Sequence, residues 1–286
     1  MRMQAGPNEV RVRGIQTHGV SVNSIAPGHR VALNLAGVEH HQLRRGDAVI
    51  DPRQWRPTTR VDASLTVLGS LDHVVSRRGA YVAYIGSGEH PVRVRVLSAP
   101  SIAPGATGTV RLHLTSEVPL VMGDRFVLRE SGRSETVGGG VVLDVQPVRP
   151  ASRARPDHDV ERIIAEHGWI DTEHLMALTG VRRTPAVGDW VVDADTLERS
   201  TAELRRRLDE AGNHGIDTAV LHEHERALLT LLPDVEVHQG VARQGAAVDP
   251  WSTHSFLEVA RVGGFAPPDP AGVDRNDLRE LVRRAL

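Results

Sequence analysis

Two amino acids are missing altogether: the 286 residues include neither cysteine nor lysine. Without cysteine there are no disulfides and no thiolate metal centres, and a cytoplasmic location becomes the default expectation. Without lysine the phosphate-binding loop G-x-x-x-x-G-K-[ST] has no place in the chain, so no catalytic residues for nucleotide hydrolysis are expected and the chain reads as no enzyme. No run approaches the roughly 18 apolar residues of a membrane-spanning helix. Residues 1–9 also lack the apolar centre of a secretory signal.

What is present is arginine, distributed unevenly. Residues 1–60 hold nine Arg against four Asp or Glu, residues 61–150 nine against eight, and residues 151–286 sixteen against twenty-four. The first block suits a polyanionic partner and the last does not. The length is enough for two or more domains, each with its own core.

The most informative stretch is GDRFVLRESGRSETVGGGVVLD, from Gly123 to Asp144. Arg125 to Arg129 alternates charged and apolar residues and Val141 to Val145 is β-branched, so the stretch reads as two strands with Gly132 and Gly138 to Gly140 between them. Such a glycine run permits either positive φ or close approach to another surface. Two readings stay open: a bulged barrel hairpin, or a turn whose Arg125, Arg129 and Arg133 track a phosphate backbone.

Upstream, Val10 to Ile15 reads as a strand ending in a turn at Thr17 to Gly19. Arg30 to Leu35 (RVALNL) reads as a mostly buried strand, and Arg44 to Asp47 as a turn into Ala48 to Ile50. The Arg-Gly-Asp within that turn has a turn to make and is not read as an adhesion motif. After the proline-containing segment 52–59, strand patterns recur at 60–67, 80–85, 91–97 and 107–114 with turn residues between them, as a closed barrel requires. His73 and His90 have no ligand at metal spacing and read as loop histidines; no metal site is expected.

Beyond Pro147, a basic connector with Arg149, Arg153 and Arg155 leads into helical periodicity. One helix follows a cap at Asp157, a second runs from Asp171 or Thr172 to Gly180, a short strand covers 190–192, and a third helix spans 201–211. A further helix at 223–232, a ribbon at 235–243 and helices at 255–262 and 276–286 repeat the style. Helix, helix, strand and helix agree with winged-helix modules. Arg205, Arg206 and Arg207 are the clearest candidate for a basic recognition helix. His222 and His224 lie in HEHE, which is not the HExxH zinc spacing.

The order RFVLRESGRSETVGGGVVLD resembles the closing strands of the third domain of tRNA-carrying translation factors, where RF-x-x-RE-x-GR-T-x-GGG recurs. VRVRGIQTHG, PGHRVALNLAGV and LRRGDAV resemble the second domain of the selenocysteine-specific elongation factors, relatives of elongation factor Tu; RVALNL is the more specific phrase. The resemblance implies a multidomain chain of antiparallel β-barrels followed by α-rich winged-helix modules. Its parts are a partial second barrel (1–57) with exposed edges, a third barrel (58–148), a basic linker (149–156), a winged helix (157–215) and a second, truncated winged-helix-like module (216–286).

It further implies that Arg30 lines the selenocysteinyl pocket, where a guanidinium that keeps its proton favours a selenolate over a serine hydroxyl. Arg125, Arg129 and Arg133 become tRNA contacts. The implied partners are selenocysteinyl-tRNA, the ribosome, and a selenoprotein mRNA hairpin held by a terminal module expected to be missing. GTP and magnesium belong to the GTP-binding domain of the parent factor, so no cofactor is expected for this chain. The competing reading is a stand-alone winged-helix nucleic-acid-binding regulator with a β-sensor domain.

Overall fold

The computed structural model describes residues 2–5, 8–245, 256, 269, 273–275 and 277–279. The expected helices at 255–262 and 276–286 lie outside these, apart from residues 256 and 277–279. The chain divides into two compact units, Met1–Thr196 and Leu197–Leu286. No helix among the described residues is long and apolar enough to cross a membrane.

The first unit begins with an open sheet of β1 (Arg2–Ala5), β2 (Asn8–Thr17), β3 (Val20–Val22), β4 (Ala32–Ala36) and β5 (Val49–Ile50). β2 pairs with β1, β3 and β4, and β5 pairs with β1. The segment is not wholly β, since His40–Gln42 forms a 3-10 turn. Strand β4 starts two residues later than the RVALNL pattern suggests, and its residues are exposed or half-buried rather than buried. Among the described residues it pairs with β2 alone, as an edge strand does. The Arg-Gly-Asp is a turn: Asp47 Oδ2 accepts from Arg44 N at 2.7 Å, Arg44 O accepts from Asp47 N at 3.1 Å, and Gly46 takes φ 103°.

A closed barrel follows, built from β6 (Pro57–Val67), β8 (Tyr81–Ile85), β9 (Gly88–Val96), β11 (Thr107–Pro119), β12 (Arg125–Glu130) and β13 (Glu135–Asp144), with a short ribbon of β7 (Val75–Ser76) and β10 (Ser101–Ile102) beside it. The ring runs β11, β6, β13, β12, β8, β9 and closes on β11. Period-two alternation builds it: Val61, Ala63, Leu65 and Val67 point inward at 0–1% exposure, while Arg60 on the same strand points out.

Gly138, Gly139 and Gly140 lie inside β13, not in the hairpin turn between the arginines. The turn is made by residues 131–134, with Ser134 at φ 53°. The triplet serves close approach. A Cβ on Gly138 would stand 2.3 Å from the Thr66 carbonyl oxygen, and one on Gly140 would stand 1.8 Å from that of Ser64.

The connector after β13 packs. Ala151 and Ala154 are buried, and the carbonyls of Pro147 and Arg149 accept from the Arg60 and Arg111 guanidiniums. It leads to α1 (Val160–His167), β14 (Ile170–Asp171), α2 (Thr172–Thr179) and β15 (Trp190–Val191), where β14 pairs with β15. Asp159, not Asp157, caps α1 through Glu161 N; Asp157 instead pairs with Arg162 at 2.8 Å. Asp171 caps α2, and Gly180 closes it in the left-handed region. Val160, Ile163, Ile164, Leu175 and Leu178 share one hydrophobic core with the barrel interior.

α3 (Ala194–Ala211) starts seven residues before the expected 201. In the second unit it buries Leu204 and Leu208, and it is followed by β16 (Ile216–Asp217), α4 (Glu223–Leu228), β17 (Val235–His238) and β18 (Val241–Gln244). The sheet order there is β16-β18-β17.

Candidate nucleic-acid interface

On the outer face of the barrel, β11 lies between β6 and β9, and its register aligns two rows of side chains. His113 stands opposite Arg60 on one side and Arg93 on the other; Arg111 stands opposite Asp62 and Arg95. Asp62 and Arg111 are buried and joined by a bidentate pair of 2.6 and 2.8 Å, with Arg149 O accepting a further bond. Arg60, Arg93 and Arg95 are exposed and form no ion pair among the described residues. Burial, and then Arg93, Arg111, Arg60 and Arg95, hold the His113 imidazole below its ordinary pKa. Arginines from three strands thus meet beside one imidazole. Like charges facing across a sheet cost stability unless an anion compensates them, and arginine is the side chain that grips phosphate oxygens in pairs.

Strand β12 lies on the opposite side of the ring, three strands from β11 in either direction. Arg125 is exposed there. Arg129, half-buried, sits 5.9 Å from the Tyr84 ring centroid and donates through Nη2 to Ser134 O at 2.9 Å; its Nε is buried without a partner. Arg133 in the turn stands 3.6 Å from Asp72 and 3.8 Å from Glu130. The structure therefore brings Arg125 and Arg129 onto one strand, and it gives Arg129 and Arg133 protein partners that a phosphate would have to displace.

Arg30 precedes β4 in an exposed loop, where its carbonyl accepts from Thr17 Oγ1 at 3.0 Å. Its guanidinium makes no ion pair among the described residues. Arg205, Arg206 and Arg207 on α3 are all matched by carboxylates, with Asp234, Glu203 and Glu210, and Glu225 respectively. They offer no uncompensated cationic face. His222 and His224 stack with centroids 5.6 Å apart and ring planes 4° apart.

His73 is not the isolated loop histidine that short-range spacing suggests. Folding places Glu130 Oε2 at 2.9 Å and Glu135 Oε1 at 3.6 Å from its Nε2, with Asp72 Oδ1 at 2.9 Å from Nδ1. Sequence reading missed this cluster because its members come from a loop and a distant hairpin. It also missed the role of Arg93 and Arg95, although V-R-V-R-V at 92–96 already directs both outward; what it lacked was the register that sets Arg60 and His113 beside them.

Residues 62–149 match the family model for the β-barrel domain of selenocysteine-specific elongation factors. Residues 62–149 form a β-barrel of the selenocysteine-factor type. Curated relatives match part of the chain: a selenocysteine-specific elongation factor from Desulfomicrobium baculatum is 30% identical over 134 residues, covering 47% of this chain and 21% of the relative. Elongation factor Tu 2 from Streptomyces avermitilis is 33% identical over 148 residues, covering 48% and 36%. The crystal structure of the bacterial selenocysteine-specific elongation factor EF-Sec superposes with a TM-score of 0.64 at 17% identity, over 99% of this chain and 52% of that one. The last likeness concerns fold. The chain thus spans about a fifth to a half of the length of these relatives. The matched residues include Arg93, Arg95, Arg125, Arg129 and Arg133, while Arg60 lies just before them.

Proposed function

We propose that the chain works in selenocysteine-specific translation elongation, with the outer face of its closed barrel holding the backbone of an aminoacyl-tRNA. The observation that carries this reading is the cross-strand row in which exposed Arg60 and Arg93 flank His113, with exposed Arg95 in the next row, none of the three arginines in an ion pair among the described residues. Such a surface positions a polyanion without reading its sequence. The intended cargo is selenocysteinyl-tRNA, with Arg30 reserved for the selenocysteinyl group and Arg125, Arg129 and Arg133 for secondary phosphate contacts. The helices after the barrel serve as winged-helix spacers toward an mRNA hairpin-binding module on the ribosome. The order α3, β16, α4, β17, β18, with β18 between the other two strands, supports that assignment for the second unit. GTP and magnesium act elsewhere than in this lysine-free chain, and the setting is the cytoplasm. The competing reading, a stand-alone regulator with a basic recognition helix, has against it the carboxylates that match Arg205, Arg206 and Arg207.

Binding of the full chain to a tRNA at several salt concentrations tests the proposal. Changing Arg93 and Arg95 together to Ala lowers the slope of log affinity against log salt by about 0.7–0.9 for each lost phosphate contact. Arg129→Ala with Arg133→Ala lowers it less. An Arg93/Arg95 double variant that binds like the parent at every salt concentration refutes the assignment of this face.

A further inference from the structure

Glu130 ends β12 and Glu135 begins β13, and the two are register partners in the last pair of the hairpin. Two carboxylates directly opposite on neighbouring strands repel, so this pair needs a cation between its members. Glu130 is only 14% exposed, which adds desolvation to the repulsion. The groups facing the pair are His73, Asp72 and Arg133. Arg133 is half-exposed and stands 3.6 Å from Asp72 and 3.8 Å from Glu130, beyond hydrogen-bond length from both. With His73 neutral, three carboxylates and one guanidinium leave two negative charges in the cluster.

The arrangement around His73 has the features of a coordination site. The ligand atoms of His73, Glu130 and Glu135 all lie within 4.8 Å of one another. Nε2 stands 2.9 Å from Glu130 Oε2, a hydrogen bond without metal, and 3.6 Å from Glu135 Oε1, near the ligand-to-ligand edges of about 2.8–3.4 Å that bonds of about 2.0–2.1 Å produce around a six- or four-coordinate dication. Nδ1 is engaged by Asp72 at 2.9 Å. A carboxylate on the far ring nitrogen is how metal-binding histidines are oriented, and it leaves Nε2 as the ligand atom.

We infer that His73, Glu130 and Glu135 bind one divalent transition-metal ion, with Asp72 orienting the histidine. An imidazole among the ligands favours zinc over magnesium, calcium or manganese. The ion ties the loop after β6 to the β12–β13 hairpin and neutralises the cluster.

Calorimetric titration of the full chain with Zn²⁺, and separately with Mg²⁺, tests this. One equivalent of Zn²⁺ binds at this site, millimolar Mg²⁺ does not displace it, and His73→Gln and Glu135→Gln each abolish that equivalent. Asp72→Asn weakens it by about 10- to 100-fold. Melting curves without metal establish that each variant is folded; Glu135, at 37% exposure, is the substitution least able to disturb packing. Absence of a bound equivalent overturns the inference and leaves the His73 proton as the compensating cation. So does a Zn²⁺ isotherm unchanged in both Gln variants, which assigns the metal to other histidines.

Discussion

Replacing Gly140 with Ala probes the geometry that closes the barrel. The added Cβ would lie 1.8 Å from Ser64 O, 2.8 Å from Ser64 C and 2.9 Å from Phe126 Cζ. Restoring an ordinary contact of 3.4 Å to the oxygen requires β13 to withdraw from β6 by about 1.6 Å, and the obstacle is backbone rather than a side chain that can rotate away. That movement breaks the hydrogen bonds flanking Gly140 in its pairing with Leu65. Overpacking costs about 1–3 kcal/mol and each lost hydrogen bond about 1 kcal/mol, so the variant loses roughly 3–5 kcal/mol. For a unit of this size each kcal/mol moves the melting temperature by about 2–4 °C, which puts the expected drop near 10 °C. Gly132→Ala in the adjacent turn meets nothing within 4 Å and serves as the control; it is neutral or stabilises by about 0.4–1 kcal/mol. Thermal unfolding of the full chain, followed by circular dichroism, distinguishes them. A Gly140→Ala variant melting within 2 °C of the parent refutes the close-approach account of the triplet.

Asp62→Ala strands the Arg111 guanidinium in the interior and costs about 3–5 kcal/mol, whereas joint replacement by Leu and Met recovers most of the loss; equal losses in urea unfolding of the single and double variants refute a pairing role. Acid acts on the first unit through its histidines. Burial holds His90, His113, His167 and His174 below the ordinary imidazole value of about 6.5, so each binds a proton more readily unfolded than folded, and stability present above pH 6.5 is lost as the pH falls. In metal-free protein His73 runs oppositely: its hydrogen bond with Asp72, and then Glu130, raises its pKa, so its contribution is present below pH 6.5 and is lost as the pH rises through the folded value. With four groups against one, the melting temperature falls between pH 7 and pH 5, and His73→Gln makes the fall steeper; a melting temperature that rises on acidification contradicts the assignment.

Strands were the most legible part of the fold, because alternation at Arg60 to Val67 and Val92 to Val96 is a direct record of which side chains face the barrel interior. Helix caps were legible to within two residues: Asp171 caps α2, while Asp159 takes the place expected of Asp157 because Asp157 is drawn to Arg162. What the chain order conceals is lateral register. The Arg60–His113–Arg93 row and the His73 cluster each join segments far apart in sequence, and no local pattern specifies which residues will stand opposite. The glycine triplet was legible only as a choice between positive φ and close approach. The neighbouring strands decide for close approach, since the glycines leave room for the Thr66 and Ser64 carbonyl oxygens.

The connector that follows the barrel has a mechanical consequence. Its alanines are buried, its carbonyls are held by Arg60 and Arg111, and Met122 N donates to Leu178 O at 2.9 Å across the junction with α2. A tug on α2 is therefore resisted by main-chain hydrogen bonds and a common apolar interior rather than taken up by slack chain. Under load, the barrel and its first two helices yield together as a single block, and the barrel feels at once whatever displaces them.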